Sequence, residues 1–372
     1  MNQTAPALAT RNRNLDLLRA MAILMVVIDH MMVQAPLHLP WLKRITDFGI
    51  YGVDLFFVLS GWLIGGLYWR EHRNFGNVAI VRFWIRRWLR TIPPYLVTLL
   101  IASLAAYGLR RQPFDFGYLL FIQNYYDHMP YFLISWSLCV EEHFYLLAPL
   151  LFLILRGFGG ARVTIALFSV LALAATASRF LEASALSNSF PYTYTASHLR
   201  MDGLALGCFL SYLATEAPGS FKLLSRAAPY AMLGFVVLLM VLSNAGWTAW
   251  YTLWGTGIGL FFSCLLLLAI SGKEVGAPIA RIAGPIALAS YSVYLTHAWA
   301  LTVARTLAGH VPAAAAPILY FLVATVAVAT LGAAFYVFVE QASIRFRDLR
   351  WPRKAVAGAV APVMPAGVQA TR

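Results

Sequence analysis

Charge is what this 372-residue chain has least of. Only 12% of its residues are Asp, Glu, Lys or Arg, against 60% hydrophobic, roughly half the charged fraction of a soluble domain. A water-soluble fold cannot hide that much apolar surface, even at this length. Cysteine is nearly absent: Cys139, Cys208 and Cys264 fall in apolar stretches with no paired spacing. A disulfide framework is therefore excluded, and no metal-ligand pattern is present. Alternation of apolar and polar residues is missing, which favours helices over a barrel. There is no repeat, no Gly-rich nucleotide loop and no room for a separate soluble domain.

What is present is a series of long apolar runs, with a mean hydropathy of +0.71. They fall near 15–33, 48–68, 92–109, 132–155, 163–178, 198–214, 228–243, 251–270, 286–305 and 317–339. Most match the length of about 20 residues that crosses hydrocarbon as a helix. The expected fold is an all-α integral membrane protein with about ten transmembrane helices, its main partner the lipid bilayer. The first run has the apolarity of a signal-peptide core. It carries Arg19, Asp29 and His30 and is followed by no small-residue cleavage site, so it reads as a first helix. A shorter run near 116–126 reads as interfacial or re-entrant.

The net charge of +13 would suggest nucleic acid in a soluble protein, but here the bilayer explains it. With the N-terminus inside and ten crossings, 21 of the 28 Lys and Arg residues fall in inner segments. That split predicts cytoplasmic N- and C-termini. Residues 1–13 and 348–372 read as tails, the second basic and then disordered, flanking a transmembrane domain over 14–347.

Ionisable side chains inside a membrane are costly and point to function. Arg19 and His30 are eleven residues apart, about 16–17 Å along one face of a helix. They read either as a snorkelling Arg with a structural His, or as a site in which His30 is a general base. Asp29 points about 100° away from His30. Asp54 lies in an apolar run and needs a partner or a proton, while Ser60-Gly61 allows close helix approach or chemistry. Arg82, Arg86, Arg87 and Arg90 alternate with Phe83, Trp84 and Trp88. They form an interfacial helix against lipid headgroups, or a cytoplasmic site for a phosphorylated donor. Glu141, Glu142 and His143 stand at mid-helix, suited to poise a proton, orient His30 or line a polar channel. Arg200 and Asp202 read either as an internal structural pair or as functional groups, and His297 either as a functional histidine or as one satisfied by a nearby hydroxyl. An aromatic belt at the interface accounts for most of the outer Tyr and Trp residues, including Tyr194 and Trp254.

Taken in order, these segments resemble the acyltransferase-3 family of membrane acyltransferases from about residue 14 to 347. Arg19 and His30 match its Arg-x10-His. GVDLFFVLSGWLI, with Asp54, Ser60 and Gly61, is similar to its second-helix signature. Arg87 and Arg90 followed by Pro93 look like its RxxR segment, and SWSLCVEEHFYLLAP matches its box at Trp136, Ser137, Glu141 and Tyr145. LRMDGLALG with Arg200, SYSVYLTH with His297 and the late Glu340 complete the series. The resemblance implies ten helices and an acyl-CoA donor, commonly acetyl-CoA, with no bound cofactor or metal. It also implies a hydroxyl acceptor on a glycan, glycolipid or macrolide-like molecule at a bacterial cytoplasmic membrane. Some members carry an extra C-terminal hydrolase-like domain, and this chain reads as a stand-alone version.

On that expectation Arg87 and Arg90 hold the donor phosphates and Arg19 flanks its pantetheine arm. His30 takes the acceptor proton, and Glu141 or Asp54 orients or recharges it. Arg200 helps bind a substrate, and Ser60, Cys139 and His30 are the conceivable acyl carriers. The rival expectation is a proton-coupled exporter of a sugar or lipid-linked unit, since buried Asp, Glu and His suit a proton relay as well.

Overall fold

The structure is a computed structural model. It describes residues 12–34, 46–75, 79–158, 161–185, 192–242, 244, 247–313 and 315–352. The outer-loop Lys43 and Arg44, most of the expected N-terminal tail and the C-terminal tail beyond 352 lie outside the described residues.

Every apolar run becomes helix. The long elements are α1 (Arg13–Gln34), α2 (Gly52–Phe75), α3 (Ile80–Arg110), α4 (Trp136–Phe158), α5 (Ala161–Ala185) and α6 (Asp202–Glu216), then α7 (Pro218–Leu242), α8 (Trp247–Ser271), α9 (Ala277–Ala308) and α10 (Ala316–Phe335). A π-turn at Tyr336–Glu340 leads into α11 (Gln341–Arg350). Among the described residues there is no strand, and eight helices are long and apolar enough to cross a membrane. The 15-residue α6 is short for a full span. The protein is an all-helical, multi-pass membrane protein.

Small residues set the closest contact. Gly61 of α2 lies against the Leu204 carbonyl of α6, and Gly207 of α6 lies against the Val58 carbonyl of α2. A Cβ at either glycine would overlap backbone, so two Gly-x3-Gly faces meet. Elsewhere α1 packs on α9 and α2, α9 on α10, and α8 on α7, α5 and α6. Asn14 fastens the start of α1 to the end of α8, donating to the carbonyls of Ala269 and Lys273 at 2.6 and 3.0 Å.

Prolines inside the helices leave carbonyls without their usual donor. Pro93 in α3 frees the Leu89 carbonyl, which accepts from the Ser343 hydroxyl of α11. Pro149 in α4 frees the Tyr145 carbonyl, which accepts from Trp84 Nε1 of α3 at 3.0 Å. A freed group in a low-dielectric bundle must find a partner on another helix. Here each one does.

The run near 116–126 forms 3₁₀ turns at Phe116–Tyr118 and Gln123–Tyr125 that fold back onto the bundle. Gln123 and Asn124 are fully buried. Gln123 donates to Ser135 at 3.0 Å, and Asn124 donates to the Thr195 carbonyl and Ser197 at 3.0 and 2.8 Å. Irregular backbone is tolerated at depth only where protein satisfies it.

Candidate active site

α3 is one continuous 31-residue helix, and the basic segment is its first third. Arg87 and Arg90, three residues apart, then share a face. That face opens on a cavity of about 760 Å³, part of it open to the outside. Arg19 of α1 and Ser60 of α2 also line it, with Ser137, Glu141 and Tyr145 of α4 and Tyr291 and Tyr294 of α9. Seven residues singled out in the sequence thus meet around one space.

The polar wall is a connected chain. Glu141 accepts from Ser60 Oγ at 2.8 Å on one carboxylate oxygen and from the Tyr145 hydroxyl at 2.7 Å on the other. The Arg87 guanidinium lies 4.7 Å from the centre of the Tyr145 ring, within cation–π range. Arg87 Nε is buried without a hydrogen-bond partner. Neither Arg87 nor Arg90 has a carboxylate within 4 Å among the described residues. Glu340, fully buried in the π-turn, accepts from Ser292 at 2.6 Å and exerts its field on Arg90 and Arg19. Cationic donors with no carboxylate in ion-pair range suit an anionic ligand.

Glu142 turns away from its neighbour and accepts from Thr91 of α3 at 2.7 Å. His143 bonds Ser197 at 2.6 Å, on another side again. Adjacent helix positions diverge by about 100°, so the three polar residues of EEH serve three environments.

His30 does not line the cavity. Its Nδ1 lies 2.7 Å from Nε2 of His297, with the two rings 8° from parallel. Tyr294 connects the pair to the cavity: its hydroxyl bonds Ser137 at 2.6 Å and its ring centre is 5.7 Å from that of His297. Two expectations change here. His297 is bonded to a histidine, not a hydroxyl. The carboxylates expected to orient or recharge His30 bond elsewhere, Glu141 to Ser60 and Tyr145 and Asp54 to Arg200.

Asp54 pairs with Arg200, whose Nη2 reaches both carboxylate oxygens at 2.9 and 3.0 Å. The Arg200 guanidinium sits 4.6 Å from the ring centre of Tyr194, 4.8 Å from Trp254 and 5.5 Å from Trp136. Tyr194 and Trp254, read as belt residues, are therefore buried walls of an arginine cage. Arg200 and Asp202 do not pair with each other. Asp202 binds Arg179 at 2.8 Å, and Arg179 is wholly buried. Ten crossings leave Arg179 near an outer helix end, but an Arg inside ALAATASRFLE is itself a signal. Of the conceivable carriers, Cys139 is buried and bonds the Ser135 carbonyl, and it does not line the cavity.

The helical bundle thus holds one cavity with three arginines and a hydrogen-bonded carboxylate in its wall, and a histidine pair beside it. The family model for the acyltransferase-3 acyltransferase domain matches residues 12–337. The chain belongs to that family. It is similar to the O-acetyltransferase OatA of Staphylococcus aureus, strains NCTC 8325 and COL. Each is 27% identical over 314 residues, covering 76% of this chain and 49% of the relative. The chain thus spans about half the length of these relatives. No solved structure matches it.

Proposed function

We propose that the chain is an O-acyltransferase of a bacterial cytoplasmic membrane, moving an acyl group, in the simplest case acetyl, from acyl-CoA to a hydroxyl. The acceptor class is a glycan, a glycolipid or a macrolide-like molecule. All ten long helices cross in this reading, with both termini cytoplasmic. Arg87 and Arg90 then face the cytoplasmic side and His30 lies towards the other.

The observation that carries the reading is one cavity lined by Arg19, Arg87, Arg90 and Tyr294, the last of which lies next to the histidine pair. The arginines bind the donor phosphates at one end. The pantetheine arm follows the cavity past Arg19 and Glu141, bringing the thioester towards Tyr294. Neutral His30 takes the proton of the acceptor hydroxyl as its oxygen attacks the thioester carbonyl. The new C–O bond forms, the C–S bond breaks, and the proton passes from His30 to the departing thiolate sulfur. Transfer of this kind needs no enzyme nucleophile. Glu141 holds Ser60 and Tyr145 in the wall along which the arm passes.

The test is thiol release from acetyl-CoA by protein purified into lipid nanodiscs, with and without a hydroxyl acceptor. The native protein should consume the thioester, and His30→Ala and His30→Gln should not, because neither side chain accepts a proton at neutral pH. Near-native turnover in both variants removes His30 from the mechanism. No binding or consumption of acetyl-CoA refutes the proposal.

A further inference from the structure

The pairing of His30 with His297 carries more than proximity. His297 is completely buried, and its Nδ1 lies 2.7 Å from the Tyr294 carbonyl oxygen and 3.3 Å from that of Val293. A carbonyl only accepts, so Nδ1 of His297 carries the proton. Its Nε2, in the neutral ring, then offers a lone pair. That lone pair faces Nδ1 of His30 at 2.7 Å, so His30 must hold its own proton on Nδ1 and donate it. The one nitrogen of the pair left with an uncommitted lone pair is Nε2 of His30. A histidine side chain free in water favours the opposite arrangement, with the proton on Nε2 and the lone pair on Nδ1.

We infer that His297 is a positioning residue for the transfer reaction, locking His30 into the tautomer in which Nε2 is the base. The lock works through fixed geometry. The two carbonyls belong to the helical turn just before His297, so α9 itself sets the proton on Nδ1. α1 brings His30 to the opposite nitrogen. A turn of either ring, or the loss of His297, frees His30 to place its proton on the nitrogen that must accept one. In serine proteases the aspartate of the triad plays the corresponding part, and the wrong tautomer there is severely disabling. Here the orienting group is a second neutral imidazole.

The inference rests on His30 acting as the base, so the experiment has one arm independent of turnover. In ¹⁵N-histidine-labelled protein in nanodiscs, the His30 ring signals are those missing from His30→Gln. They should report a protonated Nδ1 and a bare Nε2 in the native protein, shifting towards Nε2–H in His297→Phe. In the kinetic arm, His297→Phe should lower kcat by about 10²–10⁴-fold, the range that acid–base catalysis contributes, while KM for acetyl-CoA stays unchanged. His297→Gln, whose amide oxygen can accept from Nδ1–H, should recover part of that loss. A His30 protonated on Nε2 in the native protein overturns the inference. So does His297→Phe with unchanged tautomer and near-native kcat. A native protein that consumes no acetyl-CoA overturns the proposed function instead, and the ¹⁵N arm still decides the tautomer.

Discussion

The Asp54–Arg200 pair separates a structural carboxylate from a catalytic one. Its side chains are 8% and 2% exposed, so both charges are cut off from water. Deleting one partner of a buried pair costs about 3–5 kcal/mol, a large share of the 5–15 kcal/mol that holds a typical fold. The two deletions should nevertheless differ. Asp54→Asn strands a guanidinium that cannot shed its proton, with Arg200 Nε already lacking a partner. The aromatic faces return about 2 kcal/mol of that when desolvated. Arg200→Met instead strands a carboxyl, which can neutralise itself by taking up a proton. We expect Asp54→Asn to lower the unfolding midpoint in detergent micelles more than Arg200→Met does. The double variant Asp54→Leu/Arg200→Met should sit closer to the native protein than Asp54→Asn. Unfolding followed by tryptophan fluorescence and the yield of monodisperse protein measure both effects. A fully stable Asp54→Asn protein with no transfer activity would refute this reasoning and return Asp54 to the chemistry.

Two further expectations concern the cavity. Arg87→Ala and Arg90→Ala should raise KM for acyl-CoA more than for the acceptor, the mark of a contact equal in ground and transition states. Arg90→Lys should rescue only partly for want of the fork, and unchanged CoA affinity in both Ala variants would move the donor site elsewhere. Glu141→Gln should lose far more activity than Glu142→Gln at similar membrane expression. A carboxylate accepts from Ser60 and Tyr145 on both oxygens, whereas an amide accepts on one. Equal turnover of the two variants in the acetyl-CoA assay would break the assignment.

Much of the fold was legible because hydrocarbon imposes it. Any run of sufficient apolar length must be helix, and all ten runs are. The arginine cavity was partly legible as well: Arg87 and Arg90 share a face by spacing alone, and the divergence of Glu141 from Glu142 follows from helix geometry. Partnerships between distant helices were not. Nothing local tells Arg200 to choose Asp54, 146 residues away, over Asp202 two positions on. The bond of His30 to His297 spans 267 residues. Such choices are made by packing, and here the close glycine contacts of α2 with α6 and the seating of α1 on α9 decide them. Arg179 was missed for a simpler reason. Charge counting leaves it near an outer helix end although it stands within the mostly apolar stretch ALAATASRFLE.

The clasp between α3 and α11 has a consequence for how the protein is made. The Leu89 carbonyl waits for Ser343, 254 residues later, and Arg86 is held by Asp348 and the Trp351 carbonyl. A growing chain has therefore made all its long helices before the Arg86–Leu89 side of α3 is fastened. An interrupted chain lacking residues 341–352 can populate the membrane but leaves that side unclasped.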